Sequence, residues 1–318
     1  MSPKVSVCIP TYNYAAYLSV AIQSVLTQTF TDWELIVVDN CSTDNTAEVV
    51  TSFLSERVRY VRNDTNLGMV GNWNRCLELA QGELIGLLHA DDAYMPRLLE
   101  VAVVALSAHP QAGYFYSAYR FMDSDSCPGN IVRPFPTAHV WPGEQEFREH
   151  IRLPYVQCPT VIIRRTAIES VGPFMAAPEL GLANDWEMWL RIELAGWQVA
   201  YAPEPLALWR WHQGSLSREV DRRNDRIGEQ ARVIEYVMAH LPAARLHLRE
   251  LRKPAIYAVA QRALVAGVLA VCQRAGRTAW LHFRQALQTA RQVGLAGFVA
   301  YLFRRVTIVA RRRWWPTA

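Results

Sequence analysis

The chain has 318 residues, 51% hydrophobic and 11% aromatic, and its 33 Lys and Arg against 29 Asp and Glu leave a net charge of +4. That composition suffices for one large domain with an appendage, or for two domains, and excludes a chain too polar to bury a core. The basic excess is mild and lies near the C-terminus; no Lys/Arg stripe interleaved with aromatics crosses residues 1–200, and no zinc-finger or RNA-binding-sheet signature appears, which argues against a nucleic-acid partner.

In chain order, residues 5–9 are a β-branched run ended by Pro10, and 35–38 are a second ended by Asp39. Between them, 17–27 has helical spacing at Leu18, Ile22, Val25 and Leu26, which completes a β-α-β unit. The pattern continues with helix over 43–54, strand over 58–62, helix over 70–80 and strand over 84–88. This predicts an α/β fold with a mostly parallel sheet and helices flanking both faces. Ligands of such sheets bind beyond the carboxyl ends of the strands, so residues 10–12, 39–40, 63–66 and 89–92 are expected to converge on one crevice.

Further along, 96–107 reads as helix and 113–121 as strand, whereas 122–150, with Pro128, Gly129, Pro134, Pro136, Pro142 and Gly143, reads as a loop-rich connecting or lid region. Residues 160–164 are another strand, 167–171 a short helix, and 184–195 a helix striped by Trp186, Trp189, Leu190 and Leu194. From about 222 the pattern changes to long helices over 222–240, 254–273, 276–292 and 295–311. The expected division is a body over 1–220 and a C-terminal helical region over 221–318.

The six cysteines, Cys8, Cys41, Cys76, Cys127, Cys158 and Cys272, are scattered and never in a C-x-x-C arrangement, which indicates neither a zinc site nor a disulfide framework and suits a reducing cytoplasm. The N-terminus enters a strand without a signal-peptide pattern. The longest apolar runs, such as 293–303, fall short of the roughly 20 residues that span a bilayer, so no transmembrane helix is expected.

The chemistry concentrates at residues 84–92, Leu-Ile-Gly-Leu-Leu-His-Ala-Asp-Asp, an apolar run that ends in two adjacent carboxylates with His89 beside them. A buried strand needs no acids at its tip, and neighbouring carboxylates repel unless a cation or donors stabilise them. Asp91 and Asp92 therefore read either as a divalent-metal or ribose-binding edge, or as an acidic loop capping the next helix.

Together with 5–13 (Val-Ser-Val-Cys-Ile-Pro-Thr-Tyr-Asn), 36–44 (Ile-Val-Val-Asp-Asn-Cys-Ser-Thr-Asp), Asn-Leu-Gly at 66–68, Asn-Trp-Asn-Arg at 72–75 and Gly-Glu-Leu-Ile at 82–85, this segment resembles the family 2 glycosyltransferases in order and spacing. The resemblance resumes at 160–165, 172–174, 184–191 and 209–217, and so covers about residues 4–218. It implies a GT-A fold whose nucleotide-binding, Rossmann-like half holds a nucleotide-diphosphate sugar. Pro10, Thr11 and Tyr12 would flank the nucleoside, and Asp39 would accept a hydrogen bond from the base; the other reading of Asp39 is a cap on the following segment. Asn66 and Gly68 match the family's turn, with Asn74 supporting the loop from its helix, while Arg75 either reaches a phosphate or solvates its helix face.

The same resemblance implies that Asp91 faces the ribose and that Asp92 coordinates Mg²⁺ or Mn²⁺ bridging the two phosphates. Many relatives carry an acid two residues before Asp91, where this chain has His89. Three readings stay open for that residue: a hydrogen bond to the ribose, a softer metal ligand, or a satisfied histidine beneath the loop.

Asp185 matches the family's general base, which takes the proton from an acceptor hydroxyl as that oxygen attacks the anomeric carbon, a single displacement that inverts configuration. The acid usual before it is Asn184 here, and an alternative role for Asp185 is a helix N-cap with Glu187 in the first turn. His212 matches a histidine near the metal and diphosphate, on a loop that closes over the donor. Trp186, Trp189, Trp209 and Trp211 either stack on sugar faces or fill the core.

The implied activity is that of an inverting, metal-dependent glycosyltransferase of surface polysaccharide or glycolipid assembly, with a saccharide or lipid-linked acceptor, in the cytoplasm or at the inner face of the membrane. The Arg-Arg-Arg-Trp-Trp end at 311–315 suggests peripheral membrane contact, with a solvated basic tail or a helix packed on a partner as the other readings. A sugar-phosphate nucleotidyltransferase is disfavoured because 8–16 contains no glycine for a triphosphate loop. A non-catalytic nucleotide-sugar-binding module is disfavoured because Asp91, Asp92, Asp185 and His212 are all present.

Overall fold

The computed structural model describes residues 2–223, 225–272 and 275–302, so the 311–315 end and most of the expected 295–311 helix lie outside the described residues. The chain divides into two compact units, one built from residues up to 147 with 154–177 and 184–215, the other from 148–153, 178–183 and residues from 216 onward.

The first unit is organised by one ten-stranded sheet. Strands β1 (Val5–Thr11) and β2 (Trp33–Asp39) are apolar almost throughout because both faces are covered. Val5, Val7, Ile9, Leu35 and Val37 pack with helices α1 (Ala15–Leu26) and α4 (Leu98–Ala108), whereas Cys8, Ile36 and Val38 face α3 (Gly68–Leu79), α6 (Arg165–Val171) and α7 (Asn184–Leu194). The two-residue period of a strand thus feeds two cores, each large side chain contributing roughly 1.5–3 kcal/mol on burial. A short helix, α2 (Thr46–Thr51), follows β2.

The strand order is β3 (Val58–Arg62), β2, β1, β4 (Leu84–Leu87), β9 (Ile162–Arg164), β6 (Ala112–Met122), β10 (Gln198–Arg210) and β5 (Ala93–Tyr94). The first four run parallel, as expected, and all six cysteines are free thiols. The sheet as a whole is mixed: β9 is antiparallel to both β4 and β6, and β5 is antiparallel to β10. The 122–150 stretch is not a plain loop region. It holds β7 (Pro128–Val132) paired with β6, β8 (His139–Trp141) paired with β10, and helix α5 (Gly143–His150), its prolines and glycines punctuating short elements.

The 13-residue β10 has no counterpart in the sequence-based expectation. Pro203 and Pro205 interrupt its pattern, and the structure absorbs them with register shifts between Ala202, Pro205 and Ala207, since proline cannot donate to the ladder. This strand carries the chain to Arg210 and His212.

The second unit is helical: α8 (Leu216–Arg223), α9 (Arg226–Ala239), a tight 3₁₀ segment Ala243–Leu251 leading into α10 (Arg252–Cys272), and α11 (Gly276–Arg291). Helices α10 and α11 form a hairpin in which Gly267 lets Phe283 approach; a Cβ there would come 2.7 Å from the ring. Contrary to expectation, the continuous helical stretch Ala243–Cys272 is long and apolar enough to cross a membrane, although half of its apolar window is buried within the protein. Arg262, in the middle of α10, donates to the Arg152 carbonyl at 2.6 Å and to Gln230 Oε1 at 2.7 Å.

Candidate active site

Asp91 and Asp92 occupy the turn between β4 and β5, and the antiparallel pairing of β5 with β10, Ala93 opposite Leu208, brings the end of β10 beside them. Arg210 is the link. Its backbone N–H donates to Asp92 Oδ1 at 2.8 Å, its Nε donates to the Asp91 carbonyl at 2.7 Å, and its Nη1 donates to the Asp123 carbonyl at 2.7 Å and to Ser126 Oγ at 3.0 Å. The guanidinium is buried and lies 4.6 Å from the centre of the Tyr17 ring.

Two positions on, His212 Nε2 lies 3.1 Å from Asp91 Oδ2. The imidazole is buried between Tyr17, 4.7 Å away centre to centre, and the edge of Tyr14 at 5.9 Å, and the Tyr14 hydroxyl donates to the Gly214 carbonyl. Asp92 is buried, and burial, then the Asp91 charge, raises its pKa to about 6. His89 stacks on Trp73 with its Nδ1 3.6 Å from Asp92 Oδ2; burial works to lower its pKa, but Cys158 and Asp92 outweigh that and hold it above the usual value.

Ligand atoms of His89, Asp91 and Asp92 all lie within 4.8 Å of one another. Two carboxylates and an imidazole form a donor set suited to a hard or borderline divalent cation, and a cation would relieve the charge that burial disfavours on Asp92. The residues fit such an ion. The structure therefore brings together the acid pair, His89 and His212.

Asp185 opens α7, its Oδ1 accepting the Trp186 N–H at 2.8 Å. Burial raises the pKa of the Cys158 thiol, against the lowering effect of His89. Asn184 is buried and donates to the Met175 carbonyl at 2.7 Å, bracing the approach to the helix. Trp186 and Trp189 belong to the core, and Trp209 packs on Phe121 and Trp211.

At the end of β1, Thr11 is buried with no hydrogen-bond partner for its Oγ1 among the described residues, Pro10 is half-buried and Tyr12 is exposed. The Asp39 carboxylate accepts from the Ser42 N–H at 2.9 Å and the Tyr60 hydroxyl at 2.6 Å. It thus closes its own turn at the strand end, the local role weighed for it above. Asn66 Oδ1 accepts from Asn40 and from the Gly68 N–H, both at 2.8 Å, and Gly68 sits at φ +74 with nothing near a Cβ position, so backbone conformation alone calls for glycine.

Asn74 does not brace the 66–68 turn. Its side chain donates to the Phe174 carbonyl and accepts the Phe174 N–H, both at 2.9 Å, fixing a different turn that Arg191 also holds through the carbonyls of Val171, Gly172 and Pro173. Arg75 pairs with Glu78 on the helix surface at 2.8 Å.

Sequence reasoning missed Arg210 and an asparagine network. Asn63 donates to Asn40 and Asn72, and Asn72 donates to the Val38 carbonyl, stitching the ends of β2, β3 and α3. It also missed Asp44, which accepts from the Ala15 and Thr46 N–H groups and so caps α1 and α2 together. The available signal was the clustering of Asn and Asp just past strand ends.

A family model described as Glycosyl transferase family 2 matches residues 6–172. The putative teichuronic acid biosynthesis glycosyltransferase TuaG of Bacillus subtilis is 30% identical over 217 residues, which are 68% of this chain and 82% of that protein. The UDP-Glc:alpha-D-GlcNAc-diphosphoundecaprenol beta-1,3-glucosyltransferase WfgD of Escherichia coli is 29% identical over 189 residues, 59% of this chain and 69% of that protein. Among solved structures, S. aureus TarS 1–349 in complex with UDP-GlcNAc matches with a TM-score of 0.58 at 19% identity and 92% coverage of each chain. The mannosyltransferase PcManGT from Pyrobaculum calidifontis, in complex with GDP-Man and Mn²⁺, matches with a TM-score of 0.61 at 19% identity, covering 99% of this chain and 83% of that one. The fold is the GT-A fold that the motifs imply.

Proposed function

The chain belongs to glycosyl transferase family 2 and is a glycosyltransferase, and from that premise we propose that its first unit moves a sugar from a nucleotide-diphosphate donor to an acceptor hydroxyl by one inverting, cation-assisted displacement. The observation that carries this reading is the contact of His212 with Asp91 beside buried Asp92, made across 121 positions of sequence. A structural loop has no need to gather two carboxylates and two imidazoles at one strand end.

In this reading Pro10, Thr11, Tyr12 and Asp39 receive the nucleoside, the Asn66–Gly68 turn shapes the wall beside it, and Asp91 meets the ribose. Asp92 and His212, with Asp91 and His89 adjacent, would hold Mn²⁺ or Mg²⁺, which supplies charge neutralisation for the diphosphate when bound. Asp185 accepts the proton of the acceptor hydroxyl while that oxygen bonds to the anomeric carbon and the bond from that carbon to the diphosphate oxygen breaks. The names of the relatives support a uridine or guanosine donor and a lipid-linked or saccharide acceptor in polysaccharide assembly, which would put the enzyme at the cytoplasmic face of a membrane.

The test is a panel of UDP- and GDP-sugars incubated with the full chain in Mn²⁺, Mg²⁺ or chelator, with release of nucleoside diphosphate and the anomeric configuration of the product measured. Release confined to cation-containing samples and an inverted anomer are expected. Full turnover in chelator, or a retained anomer, overturns the reading.

A further inference from the structure

Charge is divided unevenly along this chain. All 29 Asp and Glu lie at or before Glu250 and 12 of the 33 Lys and Arg lie after it, so residues 1–250 hold 21 basic against 29 acidic groups, a net −8, while 251–318 carry +12. The greater part of that acid-free run is the α10–α11 hairpin.

Along α11, Arg277, Trp280, Arg284, Leu287 and Arg291 recur at alternating spacings of three and four, which places them on one helix face. All five are exposed, Trp280 at 58% and Leu287 at 48%, and the Arg284 guanidinium lies 5.4 Å from the centre of the Trp280 ring. Ala279, Ala286, Thr289 and Ala290 are the buried positions of the same helix. The distal half of α10 adds Val265, Val268 and Leu269 at 51%, 51% and 57% exposure, on the side away from the Gly267–Phe283 contact.

We propose that this exposed face of the hairpin docks the protein on an anionic membrane surface. Guanidinium groups alternating with an indole and branched aliphatic chains match a headgroup layer, where arginines meet lipid phosphates and the apolar groups enter the acyl boundary. Charge complementarity selects the occupant. A second copy of the chain would set one carboxylate-free hairpin against another, and an acidic polypeptide would answer the arginines but not the apolar positions. The contact is peripheral rather than spanning, because Arg262 in the middle of α10 is engaged inside the protein with Arg152 and Gln230. It gives a surface to the membrane-facing part of the functional reading, on which it rests, and is independent of the chemistry at Asp92.

The test is cosedimentation of the full chain with phosphatidylcholine vesicles and with phosphatidylcholine–phosphatidylglycerol vesicles. Binding to the anionic vesicles that weakens with added salt is expected. The combined variant Val268→Asp, Leu269→Asp, Trp280→Ala should lose about tenfold or more in partitioning, and so should Arg277→Gln, Arg284→Gln, Arg291→Gln. Both variants should keep the parent's melting temperature and its rate of nucleoside diphosphate release. Parent-like vesicle binding by either variant, equal binding to neutral vesicles, or a concentration-dependent dimer that the Trp280→Ala change dissociates overturns the proposal. Vesicle binding by a chain that transfers no sugar leaves the docking surface standing and sinks only the chemical reading.

Discussion

Arg210 holds Asp92 by its backbone and Asp91 by its side chain: the N–H lies 2.8 Å from Asp92 Oδ1 and Nε lies 2.7 Å from the Asp91 carbonyl. One residue of β10 therefore fixes both members of the acid pair. Arg210→Ala should remove a buried side chain that ties the carbonyls of Asp91, Asp123 and Ser124 together and cost roughly 2–4 kcal/mol of stability by denaturant unfolding. Arg210→Lys keeps the charge but not the fork, so its cation-dependent nucleotide binding by calorimetry should also weaken. Parent-like stability in both variants contradicts this role.

Asp185→Asn should lower kcat by about 10²–10⁴, the usual contribution of a positioned base, while donor affinity stays near that of the parent. Steady-state kinetics alongside binding by calorimetry separates the two. Unchanged turnover would remove Asp185 from the chemistry.

Asp92→Asn keeps the shape of the buried side chain and its acceptor for the Arg210 N–H but deletes the charge. Nucleotide-diphosphate binding in Mn²⁺ should then fall to the level the parent shows in chelator. A variant that still gains affinity on adding Mn²⁺ places the cation elsewhere.

Gly172 lies at φ +87 between α6 and the turn held by Asn74 and Arg191. Gly172→Ala should cost about 1–3 kcal/mol, since a Cβ is poorly tolerated in that region of backbone space. A Cβ there would come no closer than 3.7 Å to Arg191 Nη1, an ordinary contact, so strain, not collision, sets the cost, and a neutral result in urea unfolding counts against it.

Glu193 is buried in α7, where the Tyr114 hydroxyl donates to Oε1 at 2.6 Å. Burial, then the charge of Glu146, raises its pKa well above the ordinary value of 4.5. The folded chain thus keeps a proton that the unfolded chain releases, so this group's contribution to stability falls as pH rises beyond the unfolded value. Glu193→Gln preserves an acceptor for Tyr114 and abolishes the titration. Its unfolding free energy should decline less steeply than the parent's from about pH 5 to 8, and parallel slopes refute the assignment.

The four parallel strands were legible because strands buried on both faces read as apolar runs. The orientation of β9 was not, since a strand of three residues carries no record of direction. Strand β10 was hidden by Pro203 and Pro205. Asp91 and Asp92 stood out at an apolar strand end, whereas Arg210 looked like any surface cation, because its partners lie up to 119 positions away. Asn74 was recognised by its motif but tied to the wrong turn, for the Phe174 backbone it holds is 100 residues distant.

The short strand β5 works as a ruler. Tyr94 faces Ala207 and Ala93 faces Leu208, and just beyond them the Arg210 N–H meets Asp92 Oδ1. Side chains alternate along a strand, so a slip of one position would exchange the two carboxylates before His212. The step between acid pair and histidine is consequently counted by cross-strand register, not by the length of chain looping out between them.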